Sequence, residues 1–369
     1  MYLLPKLCLI FLITLFSKEC FSLKEVRIHA IYPFFLNHST VDHVYYPPSL
    51  RLQIFAGIPM ALMYYQDKAE KCGYYFSYKT SGFNMYDHED LVQCVAKINY
   101  DSPWVVFGPE KNTAYSLVNS RLNSEIPHVS SFSLLKSNGN NFTLSPDADI
   151  EIEALFTAAK QKGYKKNFVI IYDNLCGMCK EYQESILKKA KSMGFHLLES
   201  FPYRFNSIDK LNTLIAAKKP DFVFLNVKAA DSGSFMSKSK ALNTFFLGTK
   251  IWGDDVGSSP ALNFNLKSMN GLTVRPLPPG GYNTIKLRVI DNNFQTKRMI
   301  DNPYYMKFFI ESVTNTLCKY KPKNKSEFYQ ILKEKQIFKN KKYEFAVYNL
   351  NEGDLVFERS FWVHVNEKK

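Results

Sequence analysis

Five cysteines lie beyond residue 22, at positions 72, 94, 176, 179 and 318, and thiols are the side chains here best suited to covalent chemistry. Cys176-Gly177-Met178-Cys179 has the spacing of redox motifs and of half a zinc site. Zinc needs a second ligand pair, and no other His or Cys group here has that spacing, so the pair reads as a local disulfide or as two free thiols. Cys72 and Cys94 close a short loop between two predicted neighbouring helices and form the expected disulfide. Cys318 is left over, and is expected as a buried thiol in an apolar helix. The seven histidines, at 29, 38, 43, 88, 128, 196 and 364, are scattered and read as surface or satisfied core residues. There is no Gly-x-Ser-x-Gly elbow, no phosphate-binding Gly-rich loop and no His-Glu-x-x-His helix. The expectation is a protein without catalytic activity, cofactor or metal.

Residues 1–22 read as a secretory signal, with Lys6 at the positive start, an apolar run from Leu7 to Phe16, and Cys20-Phe21-Ser22 as a cleavage site. That run is about half of the ~20 residues a bilayer span needs, and Ser17-Lys18-Glu19 argues against a lipid anchor at Cys20. A periplasmic or secreted protein without direct membrane insertion is expected, and export makes disulfides the default state of its cysteines. The formal charge is +13, and removing Lys6, Lys18 and Glu19 lowers it by one. The lysines are dispersed as Lys165-Lys166, Lys188-Lys189, Lys218-Lys219 and Lys341-Lys342 at predicted helix ends and turns. Such spacing describes a solvated surface rather than a nucleic-acid stripe.

The elements that must position these residues alternate. Apolar strands are predicted at Val26 to Tyr32, Tyr74 to Tyr78, Trp104 to Phe107, Ile126 to Val129, Phe168 to Tyr172, His196 to Phe201 and Phe222 to Val227. Helices are predicted from Gly57-Ile58-Pro59 to Lys71, and at Asp87 to Ile98, Asn112 to Leu122, Ile150 to Lys162, Glu181 to Met193, Ile208 to Lys218 and Tyr304 to Lys319. Residues 34–56 and 130–146 read as long loops. Strands alternating with helices at this spacing make parallel sheets with helices on both faces, an α/β fold. The beat changes after Gly271, with a short strand at Leu272 to Arg275 and a closing strand pair, Tyr343 to Tyr348 and Leu355 to Val365, joined by Asn351-Glu352-Gly353-Asp354.

An ordered set of short motifs carries a family likeness: Val105-Val106-Phe107-Gly108-Pro109 before a helix, Ile126-Pro127-His128-Val129-Ser130, Asn141 to Asp147, Phe168 to Asp173, and Lys219-Pro220-Asp221-Phe222-Val223-Phe224. In order and spacing it resembles the type I periplasmic binding proteins, the family of the leucine/isoleucine/valine-binding protein. The resemblance implies two Rossmann-like lobes joined by a three-crossover hinge, lobe I from 23–145 plus 276–338 and lobe II from 146–275 plus 339–369. It also implies an exported solute-binding protein that captures an amino acid or related carboxylate in the cleft by hinge closure. Its partner would be the permease of an ABC importer, or a sensor protein; the alternative is a ligand sensor or interaction protein with the same fold and a diverged or decayed cleft.

The resemblance also places the site. Lobe I would hold the ligand carboxylate with Lys111, Asn112 and Thr113 after Gly108-Pro109, and with Ser131, Phe132 and Ser133 after Ser130. Asn112 stands where the family has Ser, and Lys111 either supplies a charge-assisted bond at the helix N-terminus or points to solvent. In lobe II, Cys176 occupies the place of the family's stacking Tyr. Lys228 and Lys250, with Trp252 as a stacking surface, would suit an anionic or aromatic carboxylate, or else they are solvated and Trp252 packs in its lobe. Tyr45 and Tyr46 are either a cover over the cleft or a packed loop.

Overall fold

The computed structural model describes residues 23–34, 48–84, 87–109, 112–131, 139–164, 166–227, 229–248, 270–277, 302–351 and 354–365. The first half of the chain builds a parallel five-stranded sheet from β1 (Lys24–Phe34), β2 (Tyr74–Asn84), β3 (Val105–Phe107), β4 (His128–Ser130) and β5 (Asn141–Thr143), in the order β2-β1-β3-β4-β5. The second sheet takes β6 (Asn167–Tyr172), β7 (His196–Pro202), β8 (Phe222–Asn226), β9 (Phe245–Leu247) and β10 (Asn270–Pro276), all parallel, in the order β7-β6-β8-β9-β10. An antiparallel hairpin of β11 (Lys342–Asn351) and β12 (Asp354–His364) extends it beyond β10. The α/β expectation holds, and the terminal strand pair returns to the second sheet as the change of beat implied.

Strands buried on both faces must be apolar at every position, because successive side chains point to opposite sides. In β6, Phe168 and Ile170 join one core while Val169 and Ile171 join another. Phe222 and Phe224 of β8 alternate with Val223 and Leu225 in the same way. The first sheet likewise has a core on each face, with Val26, Ile28, Ala30 and Tyr32 on one side and Ile31 on the other. Aromatic rings fill these layers, Phe168 stacking on Phe222 at 5.1 Å between centroids.

Helices cover both faces. On the first sheet, α1 (Pro48–Lys71) lies with the later helices α8 (Asn302–Tyr320) and α9 (Lys325–Glu334), while α2 (His88–Asp101) and α3 (Asn112–Asn119) cover the other face. On the second are α4 (Ala148–Gln161), α5 (Gly177–Met193), α6 (Ile208–Lys218) and α7 (Ala229–Lys238). Asp87, Asp147, Ser207 and Asn324 each cap a helix by accepting backbone N–H groups of its first turn. No helix among the described residues is long and apolar enough to cross a membrane.

Several element boundaries differ from the sequence expectation. Helix α1 starts at Pro48, not Gly57, and passes through Pro59. Proline fits the first helical position because its missing N–H would be unpaired there. Pro59 does forgo a helical bond, but α1 continues because Ile58, Ala61, Leu62 and Tyr65 enter the core shared with α8. The predicted loop 130–146 contains β5, three residues at the sheet edge with little pattern of their own. Helices α7, with three serines in ten residues, and α9, whose Phe328, Ile331 and Leu332 do fall at helical spacing, are absent from the sequence expectation. Strand β1 runs through Pro33 to Phe34, past the last residue paired with β3, where only β2 needs ladder bonds.

The disulfide expectation is corrected. Cys72 pairs with Cys318, Cα atoms 5.1 Å apart, and Cys94 is a free, buried thiol. Cys72 ends α1 and packs against the core on one face of the first sheet, whereas Cys94 on α2 belongs to the core of the opposite face. The sheet stands between them, so proximity in sequence is not proximity in space. Cys318 on α8 lies beside the end of α1, which makes the long-range bond the available one. Cys176 and Cys179 form a second, local disulfide.

Candidate ligand cleft

In an open parallel sheet a ligand settles outside the carboxyl ends of the strands, where the strand order reverses. In the first sheet the reversal falls between β1 and β3, and in the second between β6 and β8. The described part of that edge in the second sheet is dense in specific contacts. Asp173, 1% exposed, follows β6. Its carboxylate accepts Nε of Arg204 at 2.7 Å, Nη2 of Arg204 at 2.8 Å and the Leu175 amide at 3.0 Å. Arg204 comes from the turn after β7, so the pair spans two neighbouring connections. Its side chain is 36% exposed, and the guanidinium directs two of its five N–H groups at Asp173. Leu175 and Phe205 flank the pair at 71% and 69% exposure. Cys176 then caps α5, and the Cys179 carbonyl accepts Nδ2 of Asn226, the last residue of β8, at 2.7 Å.

The edge of the first sheet rests on a buried polar knot. His128 opens β4 and donates from Nε2 to the Gly108 carbonyl at 2.6 Å, while Nδ1 lies 3.2 Å from the Asn119 side-chain amide. With Nε2 as donor, a neutral ring needs the Asn119 amide turned to present its N–H to Nδ1. The Tyr115 ring stacks on His128 with centroids 4.0 Å apart, and its hydroxyl donates to the His128 carbonyl at 2.8 Å, with the Asn141 amide against the same oxygen. Gly108 is required here: its φ is +82°, and a Cβ would stand 2.5 Å from the Ile31 carbonyl. The knot fixes where the chain turns from β3 toward α3. His128 is thus the satisfied core histidine that the sequence favoured.

Burial pushes the His128 ring down to about 3, against roughly 6.5 in an unfolded chain. Below pH ~6.5 the unfolded chain takes up a proton that the folded chain refuses, so the contribution is complete above that pH and is lost as pH falls toward 3. His128 alone should remove about 1.4 kcal/mol of stability per pH unit, roughly 2 kcal/mol between pH 6.5 and 5. His29, lowered to about 4 chiefly by burial, acts in the same direction. Urea unfolding across this window checks the slope, and His128→Gln should flatten it.

Of the residues assigned to the site from sequence, Ser131 is fully buried directly after β4. Asn112 and Thr113 are the first residues of α3, with side chains outside the description. Cys176 lies at the expected edge as half of a disulfide rather than as a free side chain. Lys111, Phe132, Ser133, Lys228, Lys250 and Trp252, with Tyr45 and Tyr46, lie outside the described residues. Sequence reasoning missed Arg204, Leu175 and Phe205. Their signal was position: Tyr203-Arg204-Phe205 follows immediately on the carboxyl end of β7.

No family model and no curated protein sequence matches the chain. Solved structures do match in fold. A leucine-binding protein, LivK, from Thermotoga maritima superposes with a TM-score of 0.65 at 10% identity, covering 91% of this chain and 98% of its own. A branched-chain amino-acid ABC transporter periplasmic ligand-binding protein from Burkholderia xenovorans gives 0.68 at 11% identity over 91% and 95%. A solute-binding protein of an ABC transporter from R. palustris, in complex with benzoate, gives 0.62 at 12% identity over 93% and 98%. The chain has the fold of the type I periplasmic binding proteins.

Proposed function

We propose that the chain is an exported solute-binding protein that captures a small ligand between two hinged lobes and presents it to the permease of an ABC importer. The lobes are the halves built on the two sheets, with boundaries near residues 145, 275 and 338. The observation that carries the reading is the carboxyl edge of the second sheet, where exposed Leu175 and Phe205 flank the Asp173–Arg204 pair on the β7 side of the strand-order reversal. Apolar surface beside a guanidinium suits a ligand with an apolar body and a carboxylate. The matched structures are compatible with it, since one is a leucine-binding protein and another holds benzoate. No step requires chemistry on the ligand; capture comes from closing one lobe over the other.

Thermal unfolding against branched-chain and aromatic amino acids, small carboxylates, amides and aromatic acids tests this. A ligand binding only the folded state, at 100 times its dissociation constant, adds about 2.7 kcal/mol. A rise confined to apolar carboxylates supports the reading, and Phe205→Ala should weaken that rise. A folded protein indifferent to the whole panel would count against solute capture and favour an interaction role for the same fold.

A further inference from the structure

The Cys176–Cys179 disulfide has no place in ligand capture as argued above, and its setting differs from that of Cys72–Cys318 in every respect that governs reducibility. It closes a loop of sequence separation 3, against 246 for the other bond, so it removes far less freedom from the unfolded chain and gains far less from folding. It sits at the N-terminus of the 17-residue helix α5, where Cys176 is the cap residue and its Sγ accepts the Cys179 amide at 3.3 Å. That end of a helix stabilises a thiolate. Both neighbouring connections are held independently of the disulfide, through Asp173–Arg204 before it and the Asn226 bond to the Cys179 carbonyl after it. Opening the bond therefore leaves the surrounding fold in place. The pair lies at the carboxyl edge of the second sheet, where the fold admits partners and ligands.

We infer that Cys176–Cys179 is a thiol–disulfide exchange site, opened by a dithiol under conditions that leave Cys72–Cys318 closed. In the exchange one thiolate of the dithiol attacks a sulfur of the pair, forming a mixed disulfide and releasing the other cysteine as a thiolate. The second thiol of the reagent then resolves the mixed disulfide. The dithiol ends as its own disulfide, having given up two electrons and two protons, and Cys176 and Cys179 end as thiols. The site rests on the short loop, the helix N-terminus and the flanking contacts, and not on the solute-binding reading.

The test is to equilibrate the folded chain in graded ratios of reduced to oxidised dithiothreitol, trap free thiols by alkylation, and assign each cysteine by peptide mass. Cys176–Cys179 is expected to reach half reduction at a ratio at least tenfold lower than Cys72–Cys318. Accessibility alone predicts the opposite order, because Cys72 and Cys318 are partly exposed while Cys176 and Cys179 are 6% and 5% exposed. Joint reduction, the reverse order, or a pair that stays closed until the protein unfolds overturns the inference. The Cys179→Ser variant supplies a second readout: the lone Cys176 should be alkylated with a pH midpoint below the ~8.5 of an ordinary thiol, and a midpoint at or above that value also overturns it.

Discussion

The Cys72→Ser/Cys318→Ser double variant is expected to unfold about 4 kcal/mol more readily than the parent in urea without reductant. The bond joins residues 246 apart in sequence; loop-closure entropy alone sets an upper value of roughly 5.5 kcal/mol, and measured losses are commonly 2–4 kcal/mol. The upper part of that range applies because the bond fastens the end of α1 to α8, two helices that share a core yet are separated in sequence by strands β2 to β10. Without it, α8 returns to the first sheet by packing alone. Both residues are partly exposed, so serine at these positions leaves no large cavity to confuse the result. Cys94→Ser is the control. Cys94 sits in the other core, and burial raises its thiol to about 11, so the substitution should cost about 1 kcal/mol for one hydroxyl in an apolar setting. Large losses from Cys94→Ser and Cys72→Ser, with a small one from Cys318→Ser alone, would mean that Cys72 and Cys94 are partners after all.

That pairing shows where the sequence stops informing. The alternation of strands and helices was legible because parallel strands are apolar throughout and therefore conspicuous: Phe168 to Tyr172 and Phe222 to Val227 need no tertiary knowledge to find. The face on which each helix lies was not. Cys72 and Cys94 looked adjacent because local spacing carries no sign for the side of a sheet. Short edge elements such as β5 have too few residues to show a period, and α9 is recognisable mainly through Phe328 and Leu332, which are buried only because α8 and the first sheet meet them. For the cleft, the resemblance directed attention to the carboxyl edges of the sheets through Gly108, Ser131 and Asp173. It could not reveal that Asp173 is neutralised by a residue 31 positions later, because the meeting of the β6 and β7 connections is a property of sheet order. A buried carboxylate nonetheless requires a partner, and a search for a cation following a neighbouring strand would have reached Arg204.

Arg204→Met should destabilise the fold by about 3 kcal/mol and disturb the cleft edge at the same time. The Asp173 side chain has no exposed surface, and the substitution removes both guanidinium bonds while leaving the carboxylate buried. Breaking a buried pair from one side costs roughly 3–5 kcal/mol. The lower end applies because Arg204 is 36% exposed and water can reach part of the vacated space. Adding Asp173→Asn to Arg204→Met removes the buried charge and should restore about half of the loss, the neutral amide still accepting the Leu175 N–H. Arg204→Lys keeps the charge but not the two-pronged geometry, and an intermediate loss is expected. Urea unfolding of Arg204→Met, Asp173→Asn, the double variant and Arg204→Lys, each against the parent, gives the coupling directly. Equal stability of Arg204→Met with and without Asp173→Asn would show that the arginine acts through packing of its stem, not through charge. The distinction bears on function: the carboxylate that holds Arg204 also accepts the Leu175 amide, so one ion pair sets the positions of the guanidinium, the exposed leucine and the turn leading into Cys176. A change in ligand affinity that follows the charge coupling across the four variants, rather than stability alone, would tie that pair to the capture of solute.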